Sequence, residues 1–124
     1  MKTVIIGGVA GGATTAARLR RRDESMEIVV LEKGGYISYA NCGLPYYIGN
    51  VITDRQKLLV QTVPGMSKRF NLDIRNFSEV TAIDPDQKTV AVKNHQTGAI
   101  YTESYDKLIL SPGAKPIAPP IPGL

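Results

Sequence analysis

The sequence predicts an α/β fold, a parallel sheet into which a three-strand antiparallel meander is inserted. Three observations carry that prediction. Two nearly continuous apolar runs, Thr3-Val4-Ile5-Ile6 and Glu27-Ile28-Val29-Val30-Leu31-Glu32, flank an alanine-rich segment. A glycine-rich turn, Gly7 to Gly12, joins the first run to that segment. Farther on, three stretches alternate apolar and polar residues between tight turns. Unbroken β-branched runs mark parallel strands buried on both faces, whereas alternation marks strands with one wet face.

Taken in order, residues 3–6 form a strand and residues 7–12 a turn. Residues 13–22 form a helix: Ala13, Ala16, Ala17 and Leu19 suit packing on a sheet, and Arg20-Arg21-Arg22 suits the negative end of the helix dipole. Residues 27–32 return as a second strand, completing a βαβ unit. Residues 33–41 are a loop. Short helices are expected over 43–49, where Pro45 is tolerated in the first turn, and over 64–70. Residues 72–75 form another strand. The meander occupies 79–83, 89–93 and 99–103, broken at Asp84-Pro85-Asp86 and at Asn94 to Gly98. Leu108-Ile109-Leu110 is again a buried-type strand, running into Ser111-Pro112-Gly113. The expected domain is 1–115; residues 116–124 are proline-rich and suit an extended connector.

The 124 residues suffice for one small domain. The formal charge of +4 is local, in Arg18, Arg20, Arg21 and Arg22 and in Lys68 and Arg69. No aromatic residues interleave with these clusters as in single-strand readers, so a phosphate-rich small molecule is the expected partner and not nucleic acid. No apolar run approaches the ~20 residues of a membrane span, and no signal-peptide pattern opens the chain. A single cysteine, Cys42, fits a reducing cytoplasm. His95 is the only histidine and lies in a polar turn, where a surface role is expected; no residue spacing suggests a metal site.

Gly7-Gly8-Val9-Ala10-Gly11-Gly12 follows a strand and opens a helix, the setting of a dinucleotide fingerprint. Gly7 and Gly12 are its first and third glycines. Val9 stands where the middle glycine is usual, so Gly8 and Gly11 are expected to supply the slack. Glu32 closes the second strand, where an acid accepts hydrogen bonds from a ribose and disfavours a 2′-phosphate. The ligand is therefore expected to be NAD or FAD, and the domain Rossmann-like.

Cys42 precedes a short helix, a position that favours a thiolate, although a packed, inert cysteine is the commoner fate of a single thiol. The local sequence Ser38-Tyr39-Ala40-Asn41-Cys42-Gly43-Leu44-Pro45-Tyr46 decides between them. It resembles the redox loop of the single-cysteine branch of the pyridine nucleotide–disulfide oxidoreductases: coenzyme A-disulfide reductases, polysulfide or persulfide reductases, and NADH oxidases and peroxidases. The resemblance extends to Val4 through Ala13, Val9 included, and to Ser104 through Ala114. Tyr47 stands where the two-cysteine relatives carry their second thiol.

The resemblance implies FAD as cofactor and NADH as co-substrate. It implies FAD contacts at Gly7, Gly8, Val9, Ala10, Gly11, Gly12, Glu32, Lys33, Ser38, Asn41, Val80, Ser111, Pro112 and Gly113. Cys42 is the implied redox nucleophile, forming a mixed disulfide with coenzyme A or a sulfur-chain substrate. Coenzyme A contacts are implied at Thr14, Arg18, Arg21, Ser38 and Asn41, with Lys68 or Arg69 as further candidates. Tyr39, Tyr46 and Tyr47 are candidates to line the flavin or substrate pocket. A sulfenic acid cycle on Cys42, as in the oxidases and peroxidases, is the alternative; a non-catalytic nucleotide-binding module is another. The resemblance covers only the N-terminal third or less of that family. The chain alone is therefore expected not to turn over NADH and to self-associate through uncovered apolar surface, while the full-length enzyme is expected to be a homodimer.

Overall fold

The computed structural model describes residues 1–124. Strand β1 (Lys2–Ile6) enters the glycine turn and leaves it as helix α1 (Ala10–Arg22); strand β2 (Glu27–Leu31) follows. A long loop then carries a 3₁₀ turn at Asn41–Gly43, the short helix α2 (Leu44–Ile48) and a second 3₁₀ turn at Arg55–Leu58. Helix α3 (Val63–Phe70) leads into β3 (Asp73–Arg75), β4 (Ser78–Asp84), β5 (Thr89–Asn94), β6 (Ile100–Ser104) and β7 (Lys107–Leu110). No helix is long and apolar enough to cross a membrane.

Strands β3-β2-β1-β7 form a parallel sheet, and β4-β5-β6 form a separate antiparallel one. The expected fold is thus present, meander included. Helix α1 begins three positions earlier than its apolar pattern indicates, because Gly11 and Gly12 sit inside its first turn. The turn at Arg55–Leu58 escaped the sequence reading because four residues show no periodicity. Its one local signal is Asp54, whose carboxylate accepts from the Gln56 N–H at 2.9 Å. Helix α3 carries fuller punctuation. Thr62 Oγ1 accepts from the Gly65 N–H at 3.1 Å, and Asn71 ends the helix in a left-handed conformation at φ 49°.

Both faces of the parallel sheet are buried, and the strand sequences show why alternation is absent. Ile5, Ile28 and Val30 face α1 and α3, in a core with Ala13, Ala16, Ala17, Met66 and Leu72. Their neighbours Val4, Val29 and Leu31 face the meander and pack on Val90 and Val92. The meander therefore forms a third layer, half wet and half core.

Polar side chains also bind that layer to the sheet. Glu103 on β6 accepts from Lys2 Nζ on β1 and, at 2.6 Å, from Arg75 Nη1 on β3. Arg75 also pairs with Asp73, donates to the Tyr101 hydroxyl at 3.1 Å, and lies 5.7 Å from that ring's centre. Burial opposes ionisation of Glu103, but the hydrogen bonds from Lys2 and Arg75 outweigh it and hold the carboxyl below its ordinary 4.5. A depressed acid stabilises the fold above its unfolded pKa, and that contribution disappears as pH falls through the folded value. Wild-type stability should therefore drop as pH falls below about 4.5. Glu103→Gln should lower stability at neutral pH by about 1–3 kcal/mol and flatten the acid limb, as read by urea unfolding across pH. An unchanged acid limb in the variant would remove Glu103 as its source.

Candidate functional site

The glycine turn is fixed by close approach. Gly7 has φ 96°, and a β-carbon there would lie 1.9 Å from the Ser111 carbonyl oxygen. A β-carbon at Gly12 would lie 1.7 Å from the Gly7 carbonyl oxygen, and one at Gly11 would lie 2.5 Å from Ser111 Oγ. The first and third glycines of the fingerprint thus let β1, the start of α1 and the end of β7 meet. Val9 departs from the glycine pattern without a left-handed φ: its φ is −84° and its ψ −123°. It is the N-cap residue and offers no side-chain acceptor, which leaves the first N–H groups of α1 free to hold an anion.

Beside this turn lies a cleft of about 280 Å³. Gly7, Glu32, Lys33, Val80 and Pro112 line it, so five expected cofactor residues converge from four segments. Glu32 Oε2 accepts from the Gly8 N–H at 2.6 Å, and its Oε1 accepts from the Gly34 N–H at 3.0 Å. Each oxygen retains acceptor capacity toward the cleft. Val80 borders a break in the β4–β5 register, where the ladder skips Thr81, and a bulge of this kind re-aims a strand at the rim of a site. Ser111 and Pro112 follow β7 directly. Gly113 has φ 70° with open space around it, so conformation and not crowding favours glycine there.

Glu79 is a cleft residue that sequence reasoning missed. Its carboxylate meets Lys33 Nζ at 3.1 Å and His95 Nε2 at 2.6 Å. Hydrogen bonds from His95, then Lys33, hold it below the usual carboxylate range. Nothing in an alternating strand marks Glu79. Only the β4–β5 register, which brings His95 back beside β4, makes the cluster. His95 is thus at the surface as expected, but with a defined partner.

The thiol loop is bonded to the same glycine turn, the Ser38 N–H donating to the Gly8 carbonyl at 2.9 Å. Cys42 is exposed in the 3₁₀ turn that runs into α2. The Gly43 N–H donates to the Ala40 carbonyl at 3.0 Å, closing that turn, and the Ala40 N–H donates to the Leu58 carbonyl at 2.7 Å. Ser38 is left-handed at φ 47°, and Asn41 is exposed at the start of the 3₁₀ turn. A cavity of about 350 Å³ opens nearby, with Tyr36, Tyr39, Leu44, Tyr47 and Arg55 in its wall. Of the three candidate tyrosines, Tyr39 and Tyr47 line this cavity and Tyr46 does not; Tyr36 lines it as well.

The basic residues separate into two kinds. Arg20 is structural: it donates to the carbonyls of Phe70, Asn71, Asp23 and Glu24. Thr14, Arg18 and Arg21 share the exposed face of α1, opposite its alanines. Arg21 and Arg69 both stack on Phe70, at 6.0 and 5.2 Å from the ring centre, which extends this basic face onto α3. Lys68 is exposed in the last turn of α3. Ser38 and Asn41 belong to the thiol loop, and no direct bond joins them to this face.

Gly12→Ala should destabilise the fold by more than about 2 kcal/mol, since backbone must move. Gly34→Ala, whose added carbon would meet Glu32 at an ordinary 3.4 Å, should shift stability far less. Thermal melts of the two variants provide the comparison, and equal shifts would contradict it.

Residues 1–124 match the family described as pyridine nucleotide-disulphide oxidoreductase. The coenzyme A disulfide reductase of Staphylococcus epidermidis is 50% identical over 113 residues, which are 91% of this chain and 26% of that protein. Reduced CoADR-RHD of Bacillus anthracis superposes with a TM-score of 0.94 at 67% identity, over 98% of this chain and 22% of that one. The NAD-dependent persulfide reductase of A. fulgidus gives a TM-score of 0.91 at 37% identity, over 98% of this chain and 22% of that one. The chain spans about a quarter of the length of the curated relatives it matches. The glycine turn and the surrounding α/β scaffold are thus those of a known group of enzymes, and the chain belongs to the pyridine nucleotide-disulphide oxidoreductase family.

Proposed function

We propose that this chain is the FAD-binding portion, residues 1–115 with a connector over 116–124, of an NADH-dependent disulfide reductase acting on coenzyme A disulfide or a related polysulfide or persulfide. The observation that carries the reading is an exposed lone thiol, Cys42, on a loop bonded directly to the nucleotide turn. The site fits the cofactor. Glycines keep β-carbons out of the turn, the N–H groups starting α1 have no side-chain cap and are free for an anion, and Glu32 follows β2 with acceptor capacity to spare. When bound, FAD supplies a two-electron acceptor for hydride from NADH and a donor to sulfur.

The chain's own residues hold, orient and react. The N-terminus of α1 takes the pyrophosphate, Glu32 the ribose, and the cleft between Lys33 and Val80 the adenosine. Pro112 and Gly113 close the turn from the β7 side. On the other side, Thr14, Arg18 and Arg21, with Lys68 and Arg69, present donors to the phosphates of coenzyme A. Ser38 and Asn41 flank the thiol. The Cys42 thiolate attacks one sulfur of the disulfide. One coenzyme A leaves as thiolate while the other remains in a mixed disulfide. Tyr47 provides no second thiol, so the chain cannot resolve that bond internally.

A sulfenic acid cycle on Cys42 is the second reading. It is supported by the likeness to the water-forming NADH oxidase of Lactobacillus brevis, 34% identical with a TM-score of 0.91 over 99% of this chain and 27% of that one.

Two measurements test the proposal. Intact mass after treatment with coenzyme A disulfide should rise by one coenzyme A moiety, and Cys42→Ser should abolish the gain. Absorption after incubation with FAD and desalting should show retained flavin, and Glu32→Ala should reduce retention about tenfold or more. A Cys42 that takes no adduct while dilute peroxide converts it to a sulfenic acid would favour the second reading.

A further inference from the structure

Glu32 does more than face the cleft. Its Oε2 accepts from the Gly8 N–H at 2.6 Å, and the carbonyl of the same Gly8 accepts from the Ser38 N–H at 2.9 Å. The Ser38 carbonyl accepts in turn from the Val60 N–H at 3.1 Å. Ser38 stands four positions before Cys42 and holds φ 47°, a region that L-residues other than asparagine and aspartate seldom occupy. Such a conformation persists only where its surroundings over-determine it, and here its amide and carbonyl are both bonded. Gly8 is buried, and a β-carbon on it would meet Ile37 Cγ2 at 2.9 Å, so the contact is close-packed as well as hydrogen-bonded. Ile37 itself is a core residue. A continuous line therefore runs from the carboxylate in the nucleotide cleft, through one glycine, to the residue that starts the thiol loop.

We propose that Glu32 is a positioning residue for the thiol loop, acting through Gly8, so that filling the nucleotide cleft and the reactivity of Cys42 are coupled. The proposal rests on the reading of the cleft as a nucleotide site and of Cys42 as the redox thiol. A ribose hydroxyl donating to Glu32 changes how strongly that carboxylate accepts from the Gly8 N–H. The Gly8 N–H and carbonyl belong to successive peptide groups that meet at the Gly8 α-carbon, so a shift of the N–H relative to Glu32 turns the carbonyl that holds the Ser38 N–H. Coupling of equilibria is reciprocal: if nucleotide binding stabilises the Ser38 conformation, stabilising that conformation tightens nucleotide binding.

The test uses ADP as the probe and two readouts on the whole chain. Hydrogen exchange at the Ser38 amide reports the Gly8–Ser38 bond. The limiting rate of Cys42 alkylation by iodoacetamide at high pH, where the thiol is fully ionised, reports the geometry of the loop and not its charge. Glu32→Gln keeps the size of the side chain but leaves one glycine N–H facing an amide donor. In that variant, Ser38 exchange should accelerate about tenfold and the limiting alkylation rate should change at least about threefold, as expected for losing a charge-assisted bond. Saturating ADP should slow Ser38 exchange in the wild type and have no such effect in the variant. Glu24→Gln, on the exposed surface, serves as the control for charge.

If Glu32→Gln weakens ADP binding but leaves Ser38 and Cys42 unmoved, the positioning role is overturned and the nucleotide reading stands. If ADP fails to bind the wild type while Glu32→Gln still shifts both readouts, positioning by Glu32 is upheld and the nucleotide reading fails. Should the variant not fold, the wild type suffices. ADP bound by calorimetry with neither readout responding overturns the coupling.

Discussion

The structure depends on how closely three backbone segments approach one another at the top of β1. The Gly7 carbonyl touches Gly12, and Gly7 itself touches the carbonyl of Ser111, at distances where no side chain fits. That contact sets the tilt of α1 on the sheet and the placement of β7 beside β1. It also points the first N–H groups of α1 into open space. The binding geometry of the turn and the packing of the fold are one arrangement. This explains why no side chain fits at position 12.

The meander is the other dependency. It covers the sheet face that the helices leave bare, through Val90 and Val92, and it supplies Val80 and Glu79 to the cleft wall. Glu103 then bonds it to both β1 and β3. A layer that first looks like an insertion therefore completes a core, closes a site and joins strands distant in sequence. The strand break at Thr81 lets it do so, since an unbroken β4 would carry Val80 in a different register.

Much of this was legible in the sequence, for identifiable reasons. Unbroken runs such as Val4-Ile5-Ile6 specify strands buried on both faces. Thr89 to Lys93 alternates because one side is wet. The glycine turn and Glu32 carry their meaning in spacing, and the motif around Cys42 in local order. What was not legible depends on register. Glu79, Lys33 and His95 lie far apart in sequence and meet only through strand pairing. The left-handed Ser38 leaves no trace in residue type, because serine is an ordinary loop residue. Arg20 and Arg21 are adjacent and chemically identical. Only the packing of α3 shows that Arg20 reaches the carbonyls of Phe70 and Asn71 while Arg21 stacks on Phe70 and bonds within its own helix, to the Ala17 carbonyl.

The position of β1 at the centre of the sheet has a further consequence, for the order of events during synthesis. Its partner on one side is β2, which emerges soon after it; its partner on the other is β7. The bond from the Lys2 amide to Asp106 spans 104 residues. During translation the first strand has a partner for one edge only, and this remains so until the whole of the meander has been made. Ordering so long an intervening segment is slow, because chain entropy is lost before the distant contact forms. Throughout that interval the apolar edge of β1 is open to any strand that reaches it. The ribosome's own pace, and whatever shields that edge meanwhile, are therefore part of how this sequence reaches its fold.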